Sequence, residues 1–403
     1  MEILCISNGH GEDQIAVSIC LELEKLGITT LALPLVGTGH AYHNANLPTI
    51  AEATQDMPSG GFVRMDGRHL WGDMRQGLAG LTSKQIRFVW QWSKQSRSNS
   101  RLVLAVGDIV PLLFAWLPSV FGGCDFAFVA TAKSEYYWRD RNGTLPGGRK
   151  PWAGSIFYPW ERSLMRSRHC KAAFVRDRLT ADALNKSFGM SVLHLGNPMM
   201  DNLEPKGLDF DIKEDEWIVT LLPGSRPPEA YENWMCLLTA AQTVARVIAN
   251  KIIFLAAIAS ALDLEELVKL LLQKGWTQID DRTFIQGVTR LQLVLQGFGD
   301  CLHACHLGIA MAGTATEQLI GLGKPVITIT GQGPQFTSKF AQEQSCLLGS
   351  SLLLVNRPEQ VAEAMTKLLH DPDCFQEAIS NGQERMGTPG AAKRIAAHIA
   401  NQV

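Results

Sequence analysis

The residues best suited to chemistry lie in the stretch LGIAMAGTATEQLIGLGKPVITITGQGPQF, residues 307–336, where a strand, a glycine turn and a helix follow one another. We expect Thr314 or Thr316 to cap the helix after Gly313. A helix that begins there presents the N–H groups of Thr314-Ala315-Thr316 and the positive end of its dipole, and together these bind an anion such as phosphate. Glu317 either stabilises the helix end or accepts hydrogen bonds from a ribose. An ordinary strand–helix joint has the same pattern.

A second turn, Pro223-Gly224-Ser225-Arg226, follows a strand expected at Trp217–Leu222. The Arg226 guanidinium can donate to two phosphate oxygens at once, although a cation after a turn is often only a surface residue. Gln335 follows the run Gly331-Gln332-Gly333 and either touches the sugar or phosphate or is an ordinary surface residue. These features predict a site for a nucleotide diphosphate.

Acid–base residues are expected near the N-terminus of the chain. A turn at residues 8–13, which contains Gly9-His10-Gly11, follows a strand at Glu2–Ser7 and leads into a helix expected from about Asp13. Asp108 follows a buried strand at Leu102–Val106. A histidine among glycines titrates near neutral pH and is open to a substrate. Asp108 either orients His10 or acts alone as the base. The alternatives are a turn histidine bonded to backbone and an aspartate that caps a helix.

The elements that must position these residues are apolar strands alternating with helices. Such a pattern predicts parallel sheets covered on both faces. We expect an α/β chain with two Rossmann-like domains, at 1–196 and 217–385, a linker at 197–216, and a helix within 386–403 that packs back on the first domain. Ligands bind beyond the carboxyl ends of parallel strands, so two domains that face each other would bring all four turns to one cleft.

Composition limits the other functions. The 403 residues carry a formal net charge of -2, so no overall field favours nucleic acid. The nine scattered cysteines are typical of reduced cytosolic thiols. Cys301, His303, Cys305 and His306 have the residue types of metal ligands, but no second ligand group lies nearby in sequence. We expect the cysteines to lie on the buried face of a helix, and we expect neither a metal nor a cofactor.

A peripheral position on a membrane is the expected location. The chain opens on a strand, so no secretory signal is expected, and the longest apolar run, 109–121, is too short to cross a bilayer. Lys and Arg far outnumber Asp and Glu in residues 64–101 and 133–171, and aromatic residues alternate with them. Trp71, Trp138, Trp152 and Trp160 in these segments suit an anionic lipid surface. A solvated face over core aromatics is the alternative.

Three motifs, taken in order, resemble those of lipid-A-disaccharide synthases, and most closely the synthase-related proteins of cyanobacteria. They are Gly196-Asn197-Pro198 with Asp201, LLPGSR at Leu221–Arg226, and GTATE at Gly313–Glu317. The resemblance spans nearly the whole chain and is most specific in the second domain. It implies the GT-B fold, a UDP-sugar donor on the second domain and a lipid acceptor on the first. It also implies inversion at the anomeric carbon without a metal, and attachment to the cytoplasmic membrane face.

The first domain departs from that family. The synthases open with Gly-Glu-Ala-Ser-Gly-Asp, whereas this chain has Gly9-His10-Gly11-Glu12-Asp13, closer to other GT-B enzymes that place a histidine after the first strand. Asp108 occupies a position like that of the synthases' essential aspartate. We therefore expect an inverting glycosyltransferase that uses a UDP-sugar and a lipid-like hydroxyl, with His10 or Asp108 as the base. The alternatives are a UDP-sugar 2-epimerase and a non-catalytic binding protein derived from the GT-B fold.

Overall fold

A computed structural model describes residues 1–50, 78–95, 100–145, 152–248, 251–331, 333 and 336–402. The chain divides into two compact units, Met1–Asp201 with Thr388–Val403, and Asn202–Gly387. Two of the predicted site residues, Trp71 and Gln335, lie outside the described residues, and so does the side chain of His10.

The first unit is built around a five-stranded parallel sheet in the order β2-β1-β3-β4-β5. Its elements are β1 (Glu2–Ser7), α1 (His10–Lys25), β2 (Thr29–Pro34), α2 (His40–Asn44), α3 (Leu78–Lys94), β3 (Arg101–Gly107), α4 (Ile109–Val120), β4 (Phe126–Ala130), α5 (Pro159–Met165), β5 (Cys170–Phe174) and α6 (Arg178–Phe188).

Both faces of this sheet are buried, as its uninterrupted apolar strands predict. Because side chains alternate along a strand, Leu4 and Ile6 of β1 belong to one hydrophobic cluster while Ile3 and Cys5 belong to another. The predicted α/β class with a covered parallel sheet is confirmed in this unit.

Helix α1 begins at His10, three residues before the start that the sequence predicted at Asp13. Gly9 is its N-cap residue with φ 131°, a conformation that favours glycine, and the Gly9 carbonyl accepts the Asp13 N–H at 2.7 Å. The prediction of a longer turn was therefore wrong, and the His10 backbone lies in the first turn of the helix.

The second unit contains an eight-stranded sheet in the order β13-β12-β11-β6-β7-β10-β9-β8, parallel except at β8 and β9. Its elements are β6 (Glu216–Leu222), α7 (Glu229–Val247), β7 (Lys251–Ile258), α8 (Leu264–Gln273), β8 (Thr277–Gln278), β9 (Thr283–Gln286), β10 (Thr289–Leu295), α9 (Phe298–Ala304), β11 (Leu307–Ala310), α10 (Thr314–Gly321), β12 (Val326–Ile329), α11 (Ser338–Leu348), β13 (Leu352–Val355), α12 (Val361–His370) and α13 (Pro372–Met386).

The last helix, α14 (Ala391–Gln402), belongs to the first unit. Asp201 holds its start, because the Asp201 carboxylate accepts the N–H groups of Gly390, of Ala391 at 3.2 Å and of Ala392 at 2.7 Å. Ile395 of α14 is fully buried in the cluster that also contains residues of α1. The motif residue Asp201 therefore has a structural role.

The cysteine and histidine group near α9 is structural as well. Cys301 and Cys305 are buried, and burial raises the pKa of both thiols. The Ile218 N–H donates to Nδ1 of His306 at 3.0 Å. Among the described residues, no three His, Cys, Asp or Glu side chains are grouped to hold a metal ion, and no helix has the length and apolarity to cross a membrane.

Candidate functional site

The strand order of the first unit brings the predicted acid–base residues to neighbouring strands. Strands β1 and β3 pair in parallel, with Ser7 beside Val106. After β1 the chain continues to β2 on one side of this pair, and after β3 it continues to β4 on the other side. Ligand sites of open α/β sheets lie outside the carboxyl ends of the strands at such a switch point. Gly9 and His10 follow β1, and Asp108 follows β3, so the structure brings these predicted residues to one end of the sheet.

A buried hydrogen bond connects the two strand ends. The Asn8 amide Nδ2 donates to Asp108 Oδ2 at 2.8 Å, and the Val110 N–H donates to Asp108 Oδ1 at 2.7 Å. Asn8 and Asp108 are each 5% exposed. Asp108 is also the N-cap residue of α4, so its capping role, one of the two alternatives for this residue, is observed.

The electrostatic environment of Asp108 has opposing components. Burial raises the pKa of Asp108 above its ordinary value, while the bonds from Val110 and Asn8 work in the opposite direction. Glu161 contributes to the rise, and Lys133 opposes it. A carboxylate whose pKa is raised while it remains hydrogen-bonded in its ionised form is suited to accept a proton.

A second buried carboxyl group, Asp13, lies one helical turn into α1. The Ser7 hydroxyl donates to Asp13 Oδ1 at 2.5 Å, and the oxygens of Ser7 and the Tyr42 hydroxyl are 2.6 Å apart. Burial raises the pKa of Asp13 to about 6. Its position in the sequence indicates an acid that stabilises the first turn of α1. The structure shows in addition that the Asp13 carboxyl group is buried and hydrogen-bonded.

In the second unit the switch point lies between β6 and β11, which pair in parallel with Leu222 beside Ala310. Arg226 follows β6, and Gly313 follows β11, so these predicted residues also come together at one sheet end. The Asn233 amide of α7 joins the two turns, because its Nδ2 donates to the Pro223 carbonyl at 3.0 Å and to the Met311 carbonyl at 3.2 Å.

Buried side chains hold three consecutive carbonyl groups of the 311–313 turn. Besides the bond from Asn233 to Met311, the Gln344 amide of α11 donates to Ala312 O at 3.3 Å and to Gly313 O at 3.1 Å. In a trans peptide the N–H points opposite to the C=O. The N–H groups of Ala312, Gly313 and Thr314 therefore point away from the buried amides, an arrangement of successive donors that suits an anion.

The start of α10 differs from the sequence prediction in one respect. Gly313 is the N-cap residue and no side chain caps the helix, so the expectation that Thr314 or Thr316 is the cap was wrong. The Thr316 hydroxyl instead donates back to the Ala312 carbonyl at 2.7 Å, where it helps to hold the turn. Thr314 is exposed, Ala315 is half-buried and Glu317 is buried in the first turn.

Three aromatic residues of the first unit form an exposed stack. The ring centroids of Trp152 and Tyr158 are 5.6 Å apart, and those of Tyr158 and Trp160 are 4.7 Å apart. Their exposed fractions are 72% for Trp152, 39% for Tyr158 and 50% for Trp160. We call these three residues the aromatic stack. Large aromatic rings exposed side by side are typical of a surface that meets another molecule.

A partly buried ion pair supports the aromatic stack. Lys133 Nζ lies 2.5 Å from Glu161 Oε2 and 4.5 Å from the centre of the Tyr158 ring. Glu161 also accepts the Tyr158 N–H at 2.8 Å. Lys133 and Glu161 also influence the pKa of Asp108, so the same ion pair connects the aromatic stack with that carboxylate.

Trp138 is 41% exposed but makes no ring contact with the stack among the described residues.

Comparison with solved structures defines the class of the fold. A putative UDP-N-acetylglucosamine 2-epimerase from Listeria monocytogenes matches with a TM-score of 0.60 at 15% identity, over 99% of this chain and 96% of that one. MurG from Acinetobacter baumannii matches with a TM-score of 0.58 at 12% identity, over 99% of both chains. A complex of MnaA from S. aureus with UDP matches with a TM-score of 0.58 at 14% identity, over 100% of this chain and 97% of that one. These neighbours establish a GT-B fold of two Rossmann-like domains.

Comparison by sequence gives more particular relatives. The lipid-A-disaccharide synthase of Syntrophus aciditrophicus is 25% identical over 246 residues, and that of Trichlorobacter lovleyi is 25% identical over 237 residues. Each match covers 53% of this chain and 58% of the relative, so the chain spans little more than half the length of these curated proteins. No protein-family model matches the chain. The chain is a GT-B protein related to the lipid-A-disaccharide synthases, as its motifs indicated.

Sequence reasoning missed three residues of these sites: Asn8, Asn233 and Gln344. Asn8 directly precedes the singled-out turn at Gly9, so its position offered a signal. Asn233 and Gln344 lie within helices, 78 and 31 residues from the turn carbonyls that they contact. Nothing in the local sequence distinguishes them from other helical amides.

Proposed function

We propose that this protein is a glycosyltransferase that moves a sugar from a UDP-sugar to a hydroxyl group of a lipid-like acceptor, with inversion at the anomeric carbon. The observation that supports the proposal is the set of polar groups at the carboxyl ends of the strands in the two sheets. One presents a buried, hydrogen-bonded carboxylate at Asp108. The other presents outward N–H groups at Gly313, at the sheet end where the turn with Arg226 also lies.

The second unit supplies the proposed donor site. The turn at 311–313 and the start of α10 would bind the diphosphate, Arg226 would pair with phosphate oxygens, and Glu317 would hold the ribose. Gln335 is proposed to touch the sugar or phosphate. The solved neighbour bound to UDP supports a nucleotide diphosphate as the ligand of this fold. Such preorganised donors stabilise a departing oxyanion by about 3 kcal/mol each.

The first unit supplies the proposed base. Asp108 takes the proton of the acceptor hydroxyl while its oxygen forms a bond to the anomeric carbon. The bond from that carbon to the UDP oxygen breaks in the same step, and UDP leaves with the bonding electrons. Asp108 is favoured over His10 because its described contacts position the carboxylate. His10, beside Gly9 and Gly11, remains a candidate for the same role. We propose that the reaction needs no metal and no cofactor.

We propose that the acceptor lies in an anionic membrane surface, at its cytoplasmic face. The aromatic stack supports the membrane surface. Trp and Tyr rings reside at the lipid–water interface, and the surrounding cations favour anionic headgroups. Trp152 and Trp160 would enter the interface, and Trp138 and Trp71 are proposed to lie on the same face.

The test is an incubation of the full chain with a panel of labelled UDP-sugars and a polar-lipid extract. We expect label in the organic phase with one sugar, and only when lipid is present. Asp108→Asn should lower turnover by about a hundredfold or more, the range for a lost general base, while UDP affinity changes little. Asp182→Asn, an exposed substitution on α6, is the matched control and should behave as the unchanged chain. An equal loss of turnover and UDP affinity would contradict the role as base.

A second candidate, a UDP-sugar 2-epimerase, is favoured by the several UDP-N-acetylglucosamine 2-epimerases among the structural neighbours. An epimerase needs the same nucleotide site but no acceptor. A changed sugar on the nucleotide, formed equally without lipid, would establish it. Nucleotide binding without any product would instead favour a non-catalytic binding protein.

A further inference from the structure

The Asn8 side chain lies against the proposed base, and the mechanism above gives it no task. Its Nδ2 donates to Asp108 Oδ2 at 2.8 Å across the paired strands β1 and β3. The two residues are 100 positions apart in the chain, so only the sheet brings them together.

Asp108 is restrained at both carboxylate oxygens. Val110 N–H fixes Oδ1 at 2.7 Å, and Asn8 fixes Oδ2. An ionised carboxylate oxygen has two lone pairs, so each oxygen keeps one position for a substrate proton. Without Asn8, the bond from Val110 would be the only described bond to the carboxylate, which could then turn about its Cβ–Cγ bond.

Packing alone does not account for an asparagine at this position. Its other polar atom, Oδ1, is buried without a hydrogen-bond partner among the described residues. A buried unpaired amide oxygen costs free energy that an apolar side chain of the same shape avoids. The Asn8 side chain therefore lowers stability at this position. This cost favours a role for Asn8 in its hydrogen bond to Asp108.

We propose that Asn8 is a positioning residue that holds the Asp108 carboxylate in its ionised form and in one orientation for proton transfer. The proposal rests on the proposed function of Asp108 as the base. Among the described residues, the charged groups around Asp108 are Lys133, which follows β4, Glu161 of α5, and Glu12 of α1, whose side chain lies close to Gly107.

The test measures the Asp108 carboxyl group directly. The full chain is labelled at the aspartate carboxyl carbon, and the Asp108 resonance is assigned by its loss in Asp108→Asn. A hydrogen bond to the ionised form lowers the pKa of a carboxyl group, so Asn8→Leu should raise the pKa of Asp108 by about one unit. Asn8→Asp keeps the shape but places a like charge there, so it should raise that pKa further and serves as the second variant.

The control is Asn185→Leu in α6, which removes an amide that bonds both polar groups of Val192 and leaves Asp108 untouched. It should leave the pKa of Asp108 unchanged. An Asn8→Leu protein that folds and titrates Asp108 as the unchanged chain does would overturn the proposal.

A second readout separates this proposal from the proposed function. In Asn8→Leu, the acidic limb of the pH profile of kcat/KM should shift to higher pH together with the pKa of Asp108. If the pKa moves but the limb stays, Asn8 holds Asp108 but Asp108 is not the base. If the limb moves with the pKa, both proposals are supported.

Discussion

Replacement of Gln344 tests whether buried amides prepare the 311–313 turn for a diphosphate. Gln344 is 2% exposed, and its Nε2 donates to Ala312 O at 3.3 Å and to Gly313 O at 3.1 Å. Gln344→Met keeps nearly the same length and volume but removes both donors. The question is whether the change acts on stability, on UDP affinity or on both.

The stability cost should be small because each carbonyl keeps another partner. Ala312 O retains the Thr316 hydroxyl at 2.7 Å, and Gly313 O retains the Thr316 N–H at 3.1 Å and the Glu317 N–H at 3.3 Å. Two long neutral hydrogen bonds contribute about 1–2 kcal/mol in total. The buried Gln344 Oε1 has no partner among the described residues, and its removal offsets part of that cost. We expect a loss of about 1 kcal/mol.

We expect Gln344→Met to affect UDP affinity more than it affects stability. Each of the two carbonyls loses one of its hydrogen bonds, so the peptide planes that carry the Gly313 and Thr314 N–H groups are held less firmly, and UDP binding must restrict them further. One charge-assisted bond lost in this way weakens binding by about tenfold or more. The assay is calorimetric titration with UDP at a temperature where every variant is folded, together with thermal unfolding. Gln342→Met, an exposed change on the same helix, is the control. Unchanged UDP affinity in a folded Gln344→Met protein would refute the reasoning.

Two further predictions concern the first unit. The folded pKa of Asp13, about 6, lies above its unfolded value of about 3.9, so the native state binds more protons between these values and stability falls as pH rises from 4 through 6. Asp13→Asn should remove a pH dependence of about 2 kcal/mol between pH 4.5 and 7.5, measured by urea unfolding at these two pH values. An equal change in stability in both proteins would count against this. Trp152→Ala with Trp160→Ala should weaken sedimentation with vesicles of one-third anionic lipid by about tenfold or more, whereas Val288→Ala, at an 84% exposed residue of the second unit, should not. Equal vesicle binding by all three proteins would show that the stack does not meet lipid.

Much of the fold follows from local patterns. Uninterrupted apolar strands such as β3 and β11 identify parallel sheets because only strands buried on both faces can be apolar at every position. Glycine and proline mark where these strands end, which is why the turns at Gly9 and Gly313 were found. The first-turn details were less predictable, since Gly9 and Gly313, and no side-chain oxygen, hold the N-cap positions of α1 and α10.

The sequence by itself determined the type of chain, two α/β domains, and it singled out the turns that contain His10, Asp108, Arg226 and Gly313 as the proposed sites. Those properties depend on residue type and on neighbours a few positions away. Only the tertiary structure decided which strands are adjacent, and therefore that Asn8 reaches Asp108 and that Gln344 reaches the turn at Gly313. Partners so distant in the chain meet because strand order and helix packing bring them together, and that order is set by burial over the whole domain rather than by any local pattern.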